Sequence, residues 1–395
     1  MYRITITNRE NNKVASLLKK LSPLIVGLLI WLLPVPEGLT GQSWAYFALF
    51  IAVVVALIVE PIPAAASGLI GVVIAVIFQL VPLEAGGTIT EKTALQWGLS
   101  GFQDSTVWLI FSAYIFSMGY QKTGLGRRIA LHLIKLLGKK SLGLGYAVAF
   151  ADFCLAPFIP SNTARSGGTI YPIVSNIPEI YDSSPEKEPR KIGSYLCWTA
   201  FSTTCVTSSM FLTGLAPNLL AVSIVESVTG NTISWTSWWL GFLPVGLILF
   251  LLVPFINFIL YPPSVKEAKE MPTWAKQELD KLGALTKKEL LMAGLAILAL
   301  VLWVFGGEII SATTAGLIVL CLMVVFGIIT WADVIGHKQA WNVLIWFATL
   351  VTLAGGLSKT GFLAWMAGSM GVMMSGYDPM VMMVLIVVAF YLVHY

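Results

Sequence analysis

Long apolar stretches, separated by short polar segments, run through the whole chain. They extend for about 16 to 24 residues, the length that an α-helix needs to cross a hydrocarbon core about 30 Å thick. They lack the every-second-residue alternation typical of strands in outer-membrane barrels. The pattern therefore predicts an all-α polytopic membrane protein, with spans at about residues 21–36, 43–60, 62–83, 105–121, 192–225 (interrupted), 238–260, 288–305, 311–330 and 342–358.

One region between the fourth and fifth predicted spans departs from this pattern. The stretch FIPSNTARSGGTIYPI, from Phe158 to Ile173, places prolines, an asparagine and an arginine amid apolar sequence. Non-helical backbone at membrane depth is tolerated only where it is buried in protein or lines a water-filled cavity. The stretch is therefore a candidate for the lining of a polar cavity inside the bundle.

Composition and charge support this view and orient the chain. Apolar residues make up 57% and charged residues 11%, against about 25% charged in soluble domains. With a cytoplasmic N-terminus, every lysine and arginine except Lys92, Arg165 and Lys359 falls on the cytoplasmic side, as the positive-inside rule requires. This threading holds only if residues 141–185 enter and leave the membrane from the same side, so it predicts a re-entrant hairpin.

A short motif occurs twice in similar surroundings. Lys-Thr-Gly stands at 122–124 and again at 359–361, each time after an aromatic-rich apolar helix. In the charge-derived threading the two copies end on opposite faces of the membrane, the arrangement of inverted repeats in secondary transporters. The alternative is a coincidence of three residues. If the second repeat keeps the spacing between the two Lys-Thr-Gly copies, the counterpart of Ser161 falls past Tyr395. We therefore expect the second hairpin to be incomplete in this chain.

The hairpin tip has the chemistry of an anion site. Pro160 ends the first arm, Ser161 or Asn162 can cap the second arm, and free amides at a helix N-terminus attract anions. The hydroxyl and amide groups of Ser161, Asn162 and Thr163 can also donate to a carboxylate, and their oxygens can coordinate Na⁺. The alternative is an ordinary polar loop that only caps a helix.

A second interruption lies in the fifth span, at TGLAPNLLA from Thr213. Gly214 and Pro217 break the helix, and Asn218 offers both an amide and a carbonyl. Broken helices of this kind form substrate sites near the midplane of transporters, although a simple proline kink would look the same. The hydroxyl-rich run at 202–210 either lines a cavity or serves helix packing.

Together these residues resemble the divalent anion/sodium symporter family of di- and tricarboxylate transporters. The similar elements are SNTARSGGTIYPI, TGLAPN, EPIPAAASGL and the paired Lys-Thr-Gly turns. The resemblance implies a homodimer in lipid, with scaffold and transport domains and an elevator mechanism. It implies a first substrate-contacting triplet at Ser161, Asn162 and Thr163, and a neighbouring segment from Thr213 to Asn218. The second triplet cannot be assigned, because it would fall beyond Tyr395.

On this basis we divide the chain into six segments. They are a cytoplasmic N-terminal segment (1–20), first-repeat scaffold helices with an interfacial helix (21–140), a transport domain (141–260), a cytoplasmic amphipathic linker (261–287), second-repeat scaffold helices (288–377) and the start of a second hairpin (378–395).

Arg165 distinguishes two forms of coupling. SNTARSGG looks more like the exchangers of the family, and an intramembrane cation is a functional candidate by default. We expect Arg165 to supply the positive charge that sodium provides in other members of the family. A carrier with a permanent charge returns poorly when empty, which favours exchange of C4–C6 dicarboxylates such as 2-oxoglutarate, malate or succinate. The alternative function is a sodium-coupled symporter, with Na⁺ as its ion. Alternatively, Arg165 pairs with Asp152 or lies at the cytoplasmic mouth and only holds the hairpin.

Other function classes find no support in the sequence. It contains no phosphate-binding loop, no dinucleotide fingerprint and no basic nucleic-acid footprint. His132, His337 and His394 have no metal or triad spacing, and the four cysteines, all in apolar segments, are expected to be buried. We expect neither catalytic residues nor a resident metal or cofactor, and we place the protein in the inner (plasma) membrane.

Overall fold

The computed structural model describes residues 18–307, 309–374 and 376–394, and every regular element in these ranges is helical. This confirms the predicted all-α class. The α-helices are α1 (residues 18–32), α2 (Gly41–Val59), α3 (Ala64–Ile77), α4 (Glu91–Gly98), α5 (Ser105–Thr123), α6 (Leu125–Leu137), α7 (Ser141–Leu155), α8 (Tyr171–Val174), α9 (Asn176–Ile180), α10 (Gly193–Met210), α11 (Ala216–Thr229), α12 (Trp235–Leu260), α13 (Met271–Leu282), α14 (Lys287–Phe305), α15 (Ala312–Val325), α16 (Trp331–Gly336), α17 (Lys338–Lys359), α18 (Phe362–Met374) and α19 (Pro379–His394).

The predicted spans coincide with helices, with one systematic difference at their ends. Five segments of the described chain are long and apolar enough to cross a membrane: Gly41–Val59, Ser141–Phe158, Trp235–Leu260, Lys287–Phe305 and Lys338–Lys359. The predicted spans 62–83 and 311–330 end early, because the chain turns through left-handed backbone at Gln79 (φ 49°) and Gly327 (φ 66°). Ser141–Phe158 is long enough to span, so the re-entrant path of this segment stays a prediction.

The first of two compact units runs to Phe102 and resumes at Ala348. Its core contains Tyr46, Trp97 and Leu353, and the Tyr46 hydroxyl donates to the Leu353 carbonyl at 2.6 Å. The Gly101 amide donates to Thr352 Oγ1 at 3.0 Å. These bonds fix α17 against helices nearly the whole chain away in sequence, which local hydropathy could not indicate.

The second unit, Gln103–Phe347, contains the whole hairpin region. In it α7 packs on α6, α10 and α12, and α13 packs on α6. Helix α13 lies within the predicted amphipathic linker, and α6 and α13 bury Leu131 and Leu279 respectively, among other apolar residues. A buried ion pair from Arg128 Nε to Glu289 Oε1, 2.6 Å long, fastens α6 to the start of α14. The functional boundaries predicted above differ from these packing units and stay a prediction.

The helix lengths follow a similar order in two parts of the chain. α2 and α14 have 19 residues each, and α3 and α15 have 14 each. The helices after the two Lys-Thr-Gly turns, α6 and α18, have 13 each. Both turns hold their glycine in left-handed backbone, with φ of 75° at Gly124 and 78° at Gly361. The order agrees with an internal repeat, and the opposite orientation of its copies stays a prediction.

The expected burial of the cysteines is wrong. All four thiol-bearing residues, Cys154, Cys197, Cys205 and Cys321, are exposed on the protein surface. In a membrane protein the outer surface is itself apolar, because lipid rather than water covers it, so a small apolar side chain need not be enclosed by protein.

Candidate functional site

The predicted hairpin tip is a tight turn between two helical arms. The first arm, α7, passes into a 3₁₀ turn over Ala156–Phe158 and ends before Pro160. The second arm starts when Ser161 Oγ accepts from the Ala164 amide at 3.3 Å. Ser161 is therefore the capping residue. The cap uses one lone pair of the hydroxyl and leaves its proton free to donate elsewhere.

The second arm opens with a π-helix, Thr163–Ile170, which the sequence pattern did not predict. π-helical turns are rare and occur frequently at functional sites. The wider turn leaves Thr163, Gly167 and Gly168 exposed while Arg165 is completely buried, with 0% of its surface accessible. Side chains a few positions apart in this arm thus face opposite environments.

The buried Arg165 guanidinium connects the hairpin to the broken helix. Nε donates to Asp152 Oδ1 on the first arm at 3.1 Å. One terminal nitrogen donates to the carbonyls of Ile159 (2.8 Å) and Gly214 (3.0 Å), and the other to Asn162 Oδ1 (3.1 Å) and Thr204 Oγ1 (3.0 Å). A charge removed from water is tolerated when it is paired and hydrogen-bonded in this way.

Asp152 receives its own set of hydrogen bonds. Besides Arg165, it accepts from Thr204 Oγ1 at 3.3 Å and from the Thr207 hydroxyl. Both threonines belong to the hydroxyl-rich run, which here joins a buried network within the protein. The contact from Arg165 Nε to Asp152 agrees with the alternative in which Arg165 holds the hairpin, and the role of Arg165 stays a prediction.

The broken fifth span docks directly onto the tip. α10 ends at Met210, a 3₁₀ turn follows over Leu212–Gly214, and α11 begins at Ala216. Thr213 Oγ1 donates to the Pro157 carbonyl at 2.6 Å, and the Ala216 amide donates to the Pro160 carbonyl at 3.0 Å. The two interruptions recognised in the sequence are therefore joined by hydrogen bonds.

Asn218 has a structural task at the break. Its Nδ2 donates to the carbonyls of Ser208 (2.8 Å) and Phe211 (3.2 Å), and the Phe211 carbonyl also accepts from the Gly214 amide at 2.9 Å. The amide side chain thus bonds backbone carbonyls where the helix is interrupted and stabilises the break. Its Oδ1 is not used in these bonds.

The predicted site residues divide by accessibility. Thr213 and Gly214 are buried and bonded within the protein, whereas Ser161, Asn162 and Asn218 are half-buried. Thr163 and Pro217 are exposed. Sequence reasoning missed Tyr114 of α5, whose side chain lies beside that of Ser161. No local signal distinguishes this tyrosine from others in apolar helices.

The same arm also lines a cavity of about 470 Å³ next to the Lys-Thr-Gly turn. Gly168 and Thr169 contribute from the π-helix, and Trp274 contributes from α13. Among the described residues, no group of three histidine, cysteine or acidic side chains could hold a metal ion. The polar groups offered here are hydroxyl, amide and guanidinium donors, which suit anions.

Comparison with known sequences identifies the family. The family model described as the sodium:sulfate symporter transmembrane region matches residues 14–395. This chain belongs to that family. The sodium:sulfate symporter region thus covers the hairpin and the broken helix alike, and the resemblance to divalent anion/sodium symporters is confirmed.

Relatives within the symporter family include named antiporters. The chain is 45% identical over 384 residues to the citrate/succinate antiporter of Escherichia coli K12, covering 95% of this chain and 79% of that protein. It is 46% identical over 382 residues to the L-tartrate/succinate antiporter of the same strain, covering 95% and 78%. The L-tartrate/succinate antiporter of Shigella flexneri has the same identity and coverage. The chain is a multi-pass membrane transporter, not an enzyme.

Proposed function

We propose that this protein is a secondary active transporter that exchanges one C4–C6 dicarboxylate for another. The observation that carries the proposal is its match, over 95% of its length, to two antiporters that are both named for succinate. Their second named substrates, citrate and L-tartrate, are also carboxylates with four to six carbons. These names support exchange over the sodium-coupled symporter considered as the alternative.

Ser161, Asn162 and Thr163 form the substrate-contacting triplet in this proposal. Thr163 is exposed. Ser161 Oγ accepts from the Ala164 amide, so its hydroxyl proton stays available to donate. Asn162 Oδ1 accepts from Arg165, and the NH₂ group of Asn162 takes no part in that bond. Neutral donors at a helix start suit a carboxylate, because the orphan amides and the helix dipole both favour negative charge. Pro217 and Asn218 border the triplet from the broken helix.

In this proposal Arg165 compensates the charge of the substrate, which requires that Asp152 give up its share of the guanidinium during transport. In the alternative, Arg165 only holds the tip against the break. Either role leaves the substrate contacts to the triplet, because Arg165 is fully enclosed.

The wider setting of the site is also proposed. The arrangement is a homodimer in the plasma membrane with a cytoplasmic N-terminus, in which the segment 141–260 moves as an elevator against scaffold helices. In this orientation every lysine and arginine except Lys92, Arg165 and Lys359 falls on the cytoplasmic side, as the positive-inside rule expects. The bonds between Thr213, Ala216 and the tip support a hairpin and broken helix that move together.

Counterflow tests the function. The protein is reconstituted in vesicles preloaded with succinate, and uptake of labelled succinate is measured with external succinate, citrate, L-tartrate, malate or 2-oxoglutarate as competitors. Exchange predicts uptake that needs internal substrate and no sodium gradient. Uptake driven by sodium into empty vesicles would refute exchange.

Alanine variants test the site. Ser161→Ala, Asn162→Ala and Thr163→Ala each remove one donor group, so counterflow should be abolished. Ser166→Ala, five residues further along the same arm, is the matched control and should retain wild-type rates. Wild-type rates in all three tip variants would refute the site assignment.

A further inference from the structure

The cavity beside the hairpin is lined by several polar side chains within a mainly apolar wall, and none of them belongs to the proposed triplet. Its volume, about 470 Å³, lies within the ~300–1,000 Å³ that is usual for small-molecule sites. It is lined by the end of α5 and the adjoining turn, by α6, by the second hairpin arm and by α13. The residues used in the argument are Gln121, Arg127, Gly168, Thr169, Asn176 and Trp274.

The lining presents donors for an anion above an apolar wall. Gln121 and Asn176 are exposed amides, although Asn176 Nδ2 already donates to the Pro172 carbonyl at 2.8 Å, and Arg127 is half exposed at 50% of its side-chain surface. The Thr169 hydroxyl is buried and has no hydrogen-bond partner among the described residues. Such a group costs free energy unless a ligand or water satisfies it. Trp274 and the aliphatic side chains around it supply the apolar part.

Arg127 is held in a network that can release it. Its terminal nitrogen lies 2.8 Å from Glu278 Oε2 on α13, while Lys281 Nζ lies 2.5 Å from the other oxygen, Oε1. The two cations thus share one carboxylate, and the network carries a net positive charge. Lys281 and Arg127 both hold the pKa of Glu278 below its usual value. If Arg127 turns away, Glu278 keeps Lys281 as its partner.

The cavity is continuous with the arm that carries the triplet. A Cβ atom added to Gly168 would lie 3.7 Å from Gln121 Nε2 and 4.0 Å from the Thr163 carbonyl oxygen. Gly168 therefore lines the cavity from the same arm as the triplet, five residues after Thr163.

We propose that this cavity is an entry subsite, where one carboxylate of the dicarboxylate takes Arg127 from Glu278 before the substrate reaches the tip. The inference rests on the proposed exchange function. The substrate carboxylate replaces the Glu278 carboxylate as the partner of Arg127, and Glu278 stays paired with Lys281. Neither Arg127 nor Glu278 is therefore left without an ionic partner. Trp274 covers the carbon chain.

The subsite lies on one face of the membrane only, which the charge threading predicts to be the cytoplasmic face. Arg127→Gln should raise the KM for succinate about two- to five-fold on that face, the scale of a half-exposed charge pair, with kcat unchanged. Glu278→Gln should lower KM there, because Arg127 is already released. Arg127→Lys should restore part of the affinity, since it keeps the charge but loses the planar fork.

The kinetic assay varies succinate on one side of the vesicles at a time. Lys276→Gln on α13 is the matched control, because it removes an exposed cation outside the Glu278 network and should leave both KM values unchanged. Equal KM values for wild type, Arg127→Gln and Glu278→Gln on both faces would overturn the subsite. An equal change on both faces would overturn it as well.

A binding measurement separates this inference from the exchange function. Succinate should change the tryptophan emission of the purified protein, the change should be lost in Trp274→Phe, and Arg127→Gln should shift its midpoint upwards. Ser161→Ala should lose exchange but keep the emission change. Exchange in the wild type without any Trp274-dependent signal refutes the subsite alone, whereas the signal without exchange supports the subsite and refutes the exchange function.

Discussion

The buried pair of Asp152 and Arg165 offers the sharpest prediction. Their side chains are 2% and 0% exposed, so water screens neither charge. Removing one partner of such a pair leaves an unpaired charge and costs about 3–5 kcal/mol. Asp152→Asn should therefore lower the apparent melting temperature by about 6–20 °C, at the ~2–4 °C per kcal/mol of large domains.

Arg165→Met should cost still more than Asp152→Asn. It strands the Asp152 carboxylate and also the carbonyls of Ile159 and Gly214, at about 1–3 kcal/mol for each buried group without a partner. The double variant Asp152→Asn/Arg165→Met has no unpaired charge and only the carbonyl losses. It should therefore melt above Arg165→Met alone.

The assay is thermal unfolding of the detergent-purified protein at one fixed heating rate, because unfolding of such proteins is often irreversible. Arg190→Met, which changes an exposed arginine, is the control and should melt within a degree or two of wild type. A double variant that melts below both single variants, by the sum of their losses, would refute the coupling. So would single variants as stable as wild type.

Two further variants test packing and charge elsewhere. Gly101→Ala should destabilise the protein severely, because the added Cβ would collide with the Ala348 carbonyl oxygen, whereas Gly41→Ala, with nothing within 4 Å, should melt like wild type in the same assay. The Lys122 ammonium and the cap of α16 hold the pKa of Asp333 well below its usual value. This stabilisation is present above the unfolded pKa of about 4 and is lost as pH falls. Between pH 6 and 3 the melting temperature of Asp333→Asn should therefore fall less than that of wild type. Equal slopes of melting temperature against pH in the two proteins would contradict the assignment.

Hydropathy and charge determined much of the architecture by themselves. Apolar stretches of membrane-crossing length located the helices, since helix formation in lipid depends on local sequence. Pro160 marked the end of the first arm and Pro217 the first turn of α11, because proline cannot donate a backbone hydrogen bond and fixes its own φ. The family could also be recognised from the two motifs around them.

The partners of the site residues were decided only by tertiary structure. The π-helix places Arg165 inside the protein and Thr163 on its surface. The hydrophobic pattern of the sequence does not reveal a π-helix, so it could not predict which side chains of this arm face inwards. Gly214 was recognised as a helix breaker, yet its carbonyl is an acceptor for Arg165. Hydropathy is a property of each segment alone, whereas pairing depends on which atoms of distant segments meet at hydrogen-bond distance. For this reason the sequence located the hairpin and the break, and folding joined them.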